Sequence, residues 1–267
     1  MTDIAEQGNG PRSSVATRLI SVLAAFHPGD EALTLTEIAR RTDLAAATAL
    51  RMIRELVQEG MLERTDDGTY RIGMRLFRIG MLAPAQRGLR EVALPFMQDL
   101  FQVTKENILL SVLDSEGYVL YLEKLKGRMS ASALTRSGGR LPAYATATGK
   151  AILAHSDPAV IDVVCENGFE AFTRQTISSR DELLKDLELV RRRGYAVAQS
   201  ELREGRVAVG AVVVNHDRST IAALAVMGAA SNIDILRVAP AVRTAALALS
   251  RRLGRPAEGQ APSSMQS

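Results

Sequence analysis

The stretch LTEIARRTDLAAATALRMIRELVQEGMLERTDDGTYR, Leu35 to Arg71, decides the fold of this chain. Its order is helix, tight turn, helix and short β-hairpin. TEIARRT, Thr36 to Thr42, predicts the first helix, with Thr36 as its N-cap, because a threonine hydroxyl accepts an orphan backbone N–H at a helix start. Leu35 and Ile38 supply apolar contacts, and Ala39 is small enough for a second helix to cross closely. A turn at Asp43-Leu44 leads into AAATALRMIRELVQEG, where Leu44, Ala49, Ile53, Leu56 and Val57 recur at helical spacing as one buried stripe. The opposite face carries Ala46, Ala47, Thr48, Arg51, Arg54 and Glu55. Gly60 stands where a left-handed residue ends such a helix. MLERT and TYRI then alternate with period two around Asp67-Gly68, a dipeptide that favours a hairpin turn. That hairpin is a wing.

Size links this winged helix-turn-helix pattern to DNA. The major groove of B-DNA admits one α-helix, whose first turns reach base edges while the preceding helix braces on the backbone. Small residues at Ala45 to Ala47 allow close approach, and Thr48 and Arg51 can then reach a thymine methyl, a guanine edge or a phosphate. The candidate DNA contacts are Thr36 on the bracing helix, Ala46, Ala47, Thr48, Arg51 and Arg54 on the second, and Arg64 and Arg71 on the wing. A helical hairpin used only for packing is the alternative, and the wing argues against it.

The chain has 267 residues, 46% hydrophobic, enough for two modest domains with separate cores. Its net charge of +3 is too small for a non-specific nucleic-acid coat. Residues 12–80 hold ten Arg, no Lys and nine acidic residues, so DNA affinity must come from arginines gathered on one face. The single cysteine, Cys165, cannot form an internal disulfide, which fits a reducing cytoplasm; it reads as a buried structural thiol. No signal peptide or membrane span is visible, so a soluble cytoplasmic protein is expected. Residues 1–11 and 255–267 are polar and read as disordered ends.

Between those ends, residues 12–73 form the winged domain. A linker helix from Met74 to Ala83, within a linker spanning 74–88, is apolar on more than one face and suits a dimer contact. Pro84 ends it, and a helix from about Leu89 to Thr104 opens the larger domain, 89–254. ILLSVLD, YVLYLEKL and MSASAL read as strands, and the loop TRSGGRLPAYATATGKAILAHS enters a short helix. SRDELLKDLELVRRRG is an amphipathic helix capped by Ser179 and stopped by Gly194, its Arg191 to Arg193 a solvated end. YAVAQSE, VAVGAVVVN and TIAALAVMG are further strands, before a final helix from about Ile233 to Leu253. Five or six meandering strands flanked by helices make an α+β ligand-sensing domain.

Enzymatic chemistry finds little support. His27, His155 and His216 lie far apart, with no Cys or acid at ligand spacing, so neither metal nor cofactor is indicated. There is no G-x-S-x-G elbow. Gly149-Lys150 resembles part of a phosphate loop, but Tyr144 and Ala151 stand where Gly and Ser or Thr are required. Thr146, Ala147 and Thr148 precede a helix, and backbone N–H groups there suit a carboxylate as well as an ordinary cap.

Over Ser13 to Leu253 the sequence resembles the IclR family of bacterial transcription regulators. The matching features are LTLTEIARRTDLAAATALRMIREL, YRIGMRL, GGRLPAYATATGKAILA, TRQTI, VRRRGYA, SELREG and IAALAVMG, in that order. The resemblance implies a winged DNA-binding domain, a linker helix and a C-terminal GAF-like domain that binds a small organic or aromatic acid. It implies a homodimer or a dimer of dimers on double-stranded operator DNA, as repressor or activator. The effector pocket it implies maps to Ser130 and Ala133, Leu141, Ala147 and Thr148, Ala198 with Arg206 and Ala208, and Ala225 with Met227. Relatives often carry Asp, Cys and serines where this chain has Ala198, Ala208, Ala225 and Met227, which predicts a larger, less polar pocket and an aromatic or otherwise hydrophobic effector. Asp43 and Ala46-Ala47 also replace the Gly and the Lys-Ser usual at the turn and the helix start, which implies fewer or different operator contacts.

Overall fold

The computed structural model describes residues 14–27, 29–80, 82, 84–127, 138–215 and 219–254. Two compact units divide at Pro84 and Ala85. The expected disordered ends, the MSASAL strand, His216, and Ser130 and Ala133 lie outside the described residues.

The first unit runs α1 (Val15–Ala24), α2 (Leu35–Thr42), α3 (Ala46–Gln58), β1 (Leu62–Arg64), β2 (Tyr70–Ile72) and α4 (Met74–Gly80). Val22, Leu33, Ile38, Met52, Ile53, Leu56, Leu62 and Tyr70 form its core. Met52 belongs to the buried stripe of α3, whereas Leu44 precedes the helix and, like Val57, is only half-buried. Thr36 is not the cap of α2. Thr34 is: its Oγ1 accepts from Glu37 N at 3.2 Å, and Glu37 Oε2 accepts from Thr34 N at 2.8 Å. This reciprocal box satisfies two orphan donors where a lone cap at Thr36 would satisfy one. Asp43 turns the chain with φ 52° between α2 and α3. Gly60, with φ +65°, follows α3 as its spacing requires. The wing's turn is longer than its Asp67-Gly68 dipeptide: Thr65 N donates to Thr69 O at 2.9 Å, and Gly68 takes φ +83° inside a three-residue loop.

The helix that opens the second unit starts five residues earlier than the periodicity suggests. Pro84 starts α5 (Pro84–Thr104) rather than ending the helix before it, because proline's missing N–H costs nothing at a first helical position. The order continues β3 (Asn107–Leu113), β4 (Tyr118–Leu125), β5 (Arg140–Pro142), a 3-10 turn (Ala143–Ala145), α6 (Ala147–Leu153), α7 (Pro158–Glu166) and α8 (Arg180–Arg193). It closes with β6 (Ala196–Gln199), β7 (Arg206–Val214), β8 (Thr220–Ala229) and α9 (Ile235–Leu253). The expected loop at 135–156 therefore contains a short strand, β5.

Among the described residues the sheet has the order β5-β4-β3-β8-β7-β6, every neighbour antiparallel. Two meanders thus join through β3 and β8. On one sheet face, Leu89, Ala93, Met97 and Leu100 of α5 and Val242, Ala246 and Leu249 of α9 pack at helical spacing against Ile108, Leu110, Val209 and Leu224. On the other, α6, α7 and α8 cover Leu109, Val119, Tyr121, Ala223 and Ala225. A β-bulge in β4 shifts its register between the pairs Leu110↔Glu123 and Ser111↔Tyr121.

Candidate functional site

On α3, the 3.6-residue repeat brings Ala47, Arg51, Arg54 and Gln58 onto one stripe opposite the buried Ala49, Met52, Ile53 and Leu56. All four stripe residues are exposed, Ala46 is exposed beside them, and Thr48 is half-buried at the flank. Neither Arg51 nor Arg54 has an ion-pair partner among the described residues. Ala45 is the N-cap and offers no side-chain acceptor, so the first N–H groups of α3 open to whatever lies in front of them. Thr36, freed of the capping role, is an exposed hydroxyl in the first turn of α2. Arg64 is exposed on the wing. Arg71 is exposed too, but its Nε donates to Glu63 Oε2 at 3.0 Å across the ladder. Glu63 is held below the usual carboxylate range chiefly by that bond.

In the second unit the sheet register assembles a cavity from distant sequence. One row across the strands reads Ala198, Ala208, Met227 and Asn107; the next reads Ala196, Gly210, Ala225 and Leu109. Because paired residues share a face, the first row and the Ala225–Leu109 end of the second form a wall. Gly210 is needed beneath α6: a Cβ there would lie 2.9 Å from Ala147 O. Gly149 likewise lets α6 pass over the preceding turn, where a Cβ would meet Ala143 O at 2.3 Å. The result is a cavity of about 700 Å³, its mouth included.

Of the positions that the resemblance assigned to an effector pocket, Ala147, Thr148, Ala198, Arg206, Ala208, Ala225 and Met227 are brought together around this cavity. Leu141 is not among them. It sits in β5 paired with Val119 and buried in the core, too far toward the sheet edge to reach the wall. Thr146 caps α6, its Oγ1 accepting from Gly149 N at 3.1 Å. Thr148 is 1% exposed, and among the described residues the Tyr121 hydroxyl beside it is the group that acts on its Oγ1, short of hydrogen-bond geometry. Burial pushes the Tyr121 hydroxyl well above its ordinary pKa, so it stays protonated.

Glu201 in the wall and its partner Lys150 are residues that periodicity does not reveal. Lys150 is 1% exposed; its Nζ lies 2.7 and 2.9 Å from the two oxygens of Glu201 and 2.9 Å from Asp186 Oδ2. This cluster ties α6, α8 and the β6–β7 loop together. Burial raises the Glu201 pKa, while Lys150 opposes that rise. Thr176 Oγ1 donates to Glu201 O at 2.5 Å and Thr173 Oγ1 to Ser200 O at 2.6 Å, fixing the loop from the TRQTI segment. A lone lysine inside the apolar run ATGKAILA was the available signal: a cation there requires a counter-ion.

Other expectations change in detail. Cys165 is half-buried on α7 rather than buried, beside Arg180. Arg191 and Arg192 are exposed, but Arg193 is half-buried, lying 4.8 Å over the Tyr195 ring and donating to Tyr195 O at 2.6 Å. No helix among the described residues is long and apolar enough to cross a membrane.

Two family profiles match. The IclR helix-turn-helix domain covers residues 15–66, and the bacterial transcriptional regulator IclR C-terminal domain covers residues 82–251. The HTH-type transcriptional regulator XynR of Escherichia coli (strain K12) is 32% identical, over 90% of this chain and 97% of its own length. The transcriptional repressor IclR of the same strain is 28% identical, over 83% and 82%. An IclR homolog from Microbacterium hydrocarbonoxydans, crystallised with 4-hydroxybenzoate, superposes with a TM-score of 0.81 at 31% identity, covering 90% of this chain and 99% of that one. The relatives matched are regulators, not enzymes. With both domains matched in order and the same architecture beneath them, the chain belongs to the IclR family and is a DNA-binding transcriptional regulator.

Proposed function

We propose that this regulator is a repressor whose hold on its operator is weakened by a small organic acid with an aromatic or otherwise apolar body. The observation that carries the effector class is the wall itself: Ala198, Ala208, Ala225 and Met227 present apolar surface, with Arg206 among them. Unpartnered polar atoms are costly to bury, so an alanine-lined wall favours a ring over a two- or three-carbon acid, whose polar groups would go unmet. Arg206 and the Thr148 hydroxyl supply donors for the acid group. The 4-hydroxybenzoate held by the Microbacterium homolog fits this class, and the repressor named among the relatives fits the sign.

Repression follows from two recognition helices. In a dimer, each α3 enters a successive major groove of a near-palindromic operator, with Thr36, Ala46, Ala47, Thr48, Arg51 and Arg54 toward the DNA and Arg64 and Arg71 at the flanking backbone. A second copy of this chain is the natural cover for α4, where Met74, Phe77 and Ile79 are 62%, 59% and 48% exposed. The acid can shift the operator affinity by no more than its preference for one arrangement over the other.

Calorimetry with benzoate-type acids against glyoxylate and pyruvate tests the effector class. Tighter binding of the small acids rejects it. A reporter in a deletion strain tests the sign: expression rises if the protein represses and falls if it activates.

A further inference from the structure

The polar side chains that line the cavity fall into two groups. Three are already engaged: Asn107 Nδ2 donates to Met227 O at 3.1 Å, Thr146 Oγ1 accepts from Gly149 N, and both Glu201 oxygens accept from Lys150. The others are Tyr121, Thr148, Arg203 and Arg206, whose side chains make no hydrogen bond or ion pair of good geometry among the described residues. What this second group offers is protons to donate.

Two of its members meet from different elements. Tyr121 of β4 pairs with Ser111, which follows Leu109 on the same face of β3. Leu109 in turn shares its row with Ala225 and Gly210. Thr148 comes onto that row from α6, its backbone N 3.2 Å from where a Gly210 Cβ would stand. Both residues line the cavity, and both are enclosed: Tyr121 is 3% exposed and Thr148 1%.

A pair of hydroxyls cannot satisfy itself. Each has one proton to give and lone pairs to receive. If the phenol donates to Thr148 Oγ1, the threonine proton is left over; in the reverse arrangement the phenol proton is. Burial holds the phenol above its ordinary pKa of 10.0, so it keeps that proton. A buried donor without an acceptor is costly. The pair therefore calls for an acceptor from outside the protein, and a carboxylate, which only accepts, takes both protons at once.

We propose that Tyr121 and Thr148 form a two-hydroxyl seat for the carboxylate of the effector, whose apolar body rests on Leu109 and Ala225. The seat rests on the cavity being the effector site, and it adds the phenol to the acid contacts of Arg206 and Thr148. It also sets the sign of the ligand's polar group: an ammonium, which presents only donors, would leave both hydroxyl protons unmet.

The test is calorimetry on the full chain with benzoate for the wild type, Tyr121→Phe, Thr148→Val and Thr148→Ser, with thermal melts of each free protein. Tyr121→Phe should bind benzoate roughly tenfold more weakly, since one charge-assisted hydrogen bond is lost. Its melting temperature should equal or exceed that of the wild type, because the hydroxyl removed bonds to nothing in the free fold. Thr148→Val should behave alike, whereas Thr148→Ser, which keeps the hydroxyl, should bind close to wild type. Unchanged affinity in Tyr121→Phe or in Thr148→Val overturns the seat, a water then meeting the spare proton, and leaves the effector class standing. So does a loss in Tyr121→Phe accompanied by a lower melting temperature, which makes the phenol part of the fold, or a loss in Thr148→Ser as large as in Thr148→Val. If the wild type binds none of benzoate, 4-hydroxybenzoate and phenylacetate, the effector class falls and the seat falls with it.

Discussion

Arg51 and Lys150 put the same charge to opposite uses. Arg51 projects from α3 into solvent with no anionic partner among the described residues, whereas Lys150 is 1% exposed and enclosed by Glu201 and Asp186. A cation left in water keeps its hydrogen-bonding capacity for a phosphate or a base edge. One taken out of water needs carboxylates around it, and in exchange it joins α6, α8 and the β6–β7 loop. The first unit thus carries its chemistry on an outer face, and the second encloses it.

That contrast predicts where substitutions act. The largest effect should come from Lys150→Met, which leaves the buried Glu201 and the half-buried Asp186 without this cation; unfolding in urea should show a loss of about 3–5 kcal/mol. A loss below about 1 kcal/mol would mean that water replaces the ammonium at little cost. Arg51→Ala should leave folding nearly unchanged and lower operator affinity by about 1–3 kcal/mol if it reads a base edge. Gel-shift affinity equal to that of the wild type would remove Arg51 from the interface.

How far the sequence revealed each unit follows from the range of its contacts. The winged unit is built from neighbours within a few turns, so Ile53, Leu56 and Gly60 could be placed from spacing alone. Thr36 reads as the cap in place of Thr34 because two threonines stand at the same helix start; only Glu37, three residues after Thr34, distinguishes the capping box. The cavity is different. Ala198, Ala208, Met227 and Asn107 share a row only through pairings between distant strands, and no local period encodes them. Family resemblance places Ala198, Ala208 and Met227 but not Asn107, and it also points to Leu141, which the register of β5 keeps in the core. The bulge at Leu122 of β4 was invisible because YVLYLEKL alternates plausibly in either register.

Smaller effects sharpen the account of the first unit. Thr34→Ala should destabilise it by about 1 kcal/mol, and Thr36→Ala by about 0.5 kcal/mol or less, in thermal melts of the full chain. The reverse order would restore Thr36 as the cap. The smallest effect concerns acid. Asp30 is held below its ordinary pKa of 3.8 chiefly by Arg41, which bonds both of its oxygens. A lowered carboxylate pKa contributes stability above the unfolded value and loses it as pH falls through the folded value. Asp30→Asn should therefore flatten the acid limb of the stability profile below about pH 4 and leave its shape unchanged near neutrality.

Operator affinity measured by fluorescence anisotropy, with and without saturating benzoate, tests the link between the two units most directly. The account predicts that benzoate weakens wild-type binding, and that Arg51→Ala binds poorly under both conditions. Operator binding that is indifferent to benzoate, while calorimetry shows the acid bound, would contradict it.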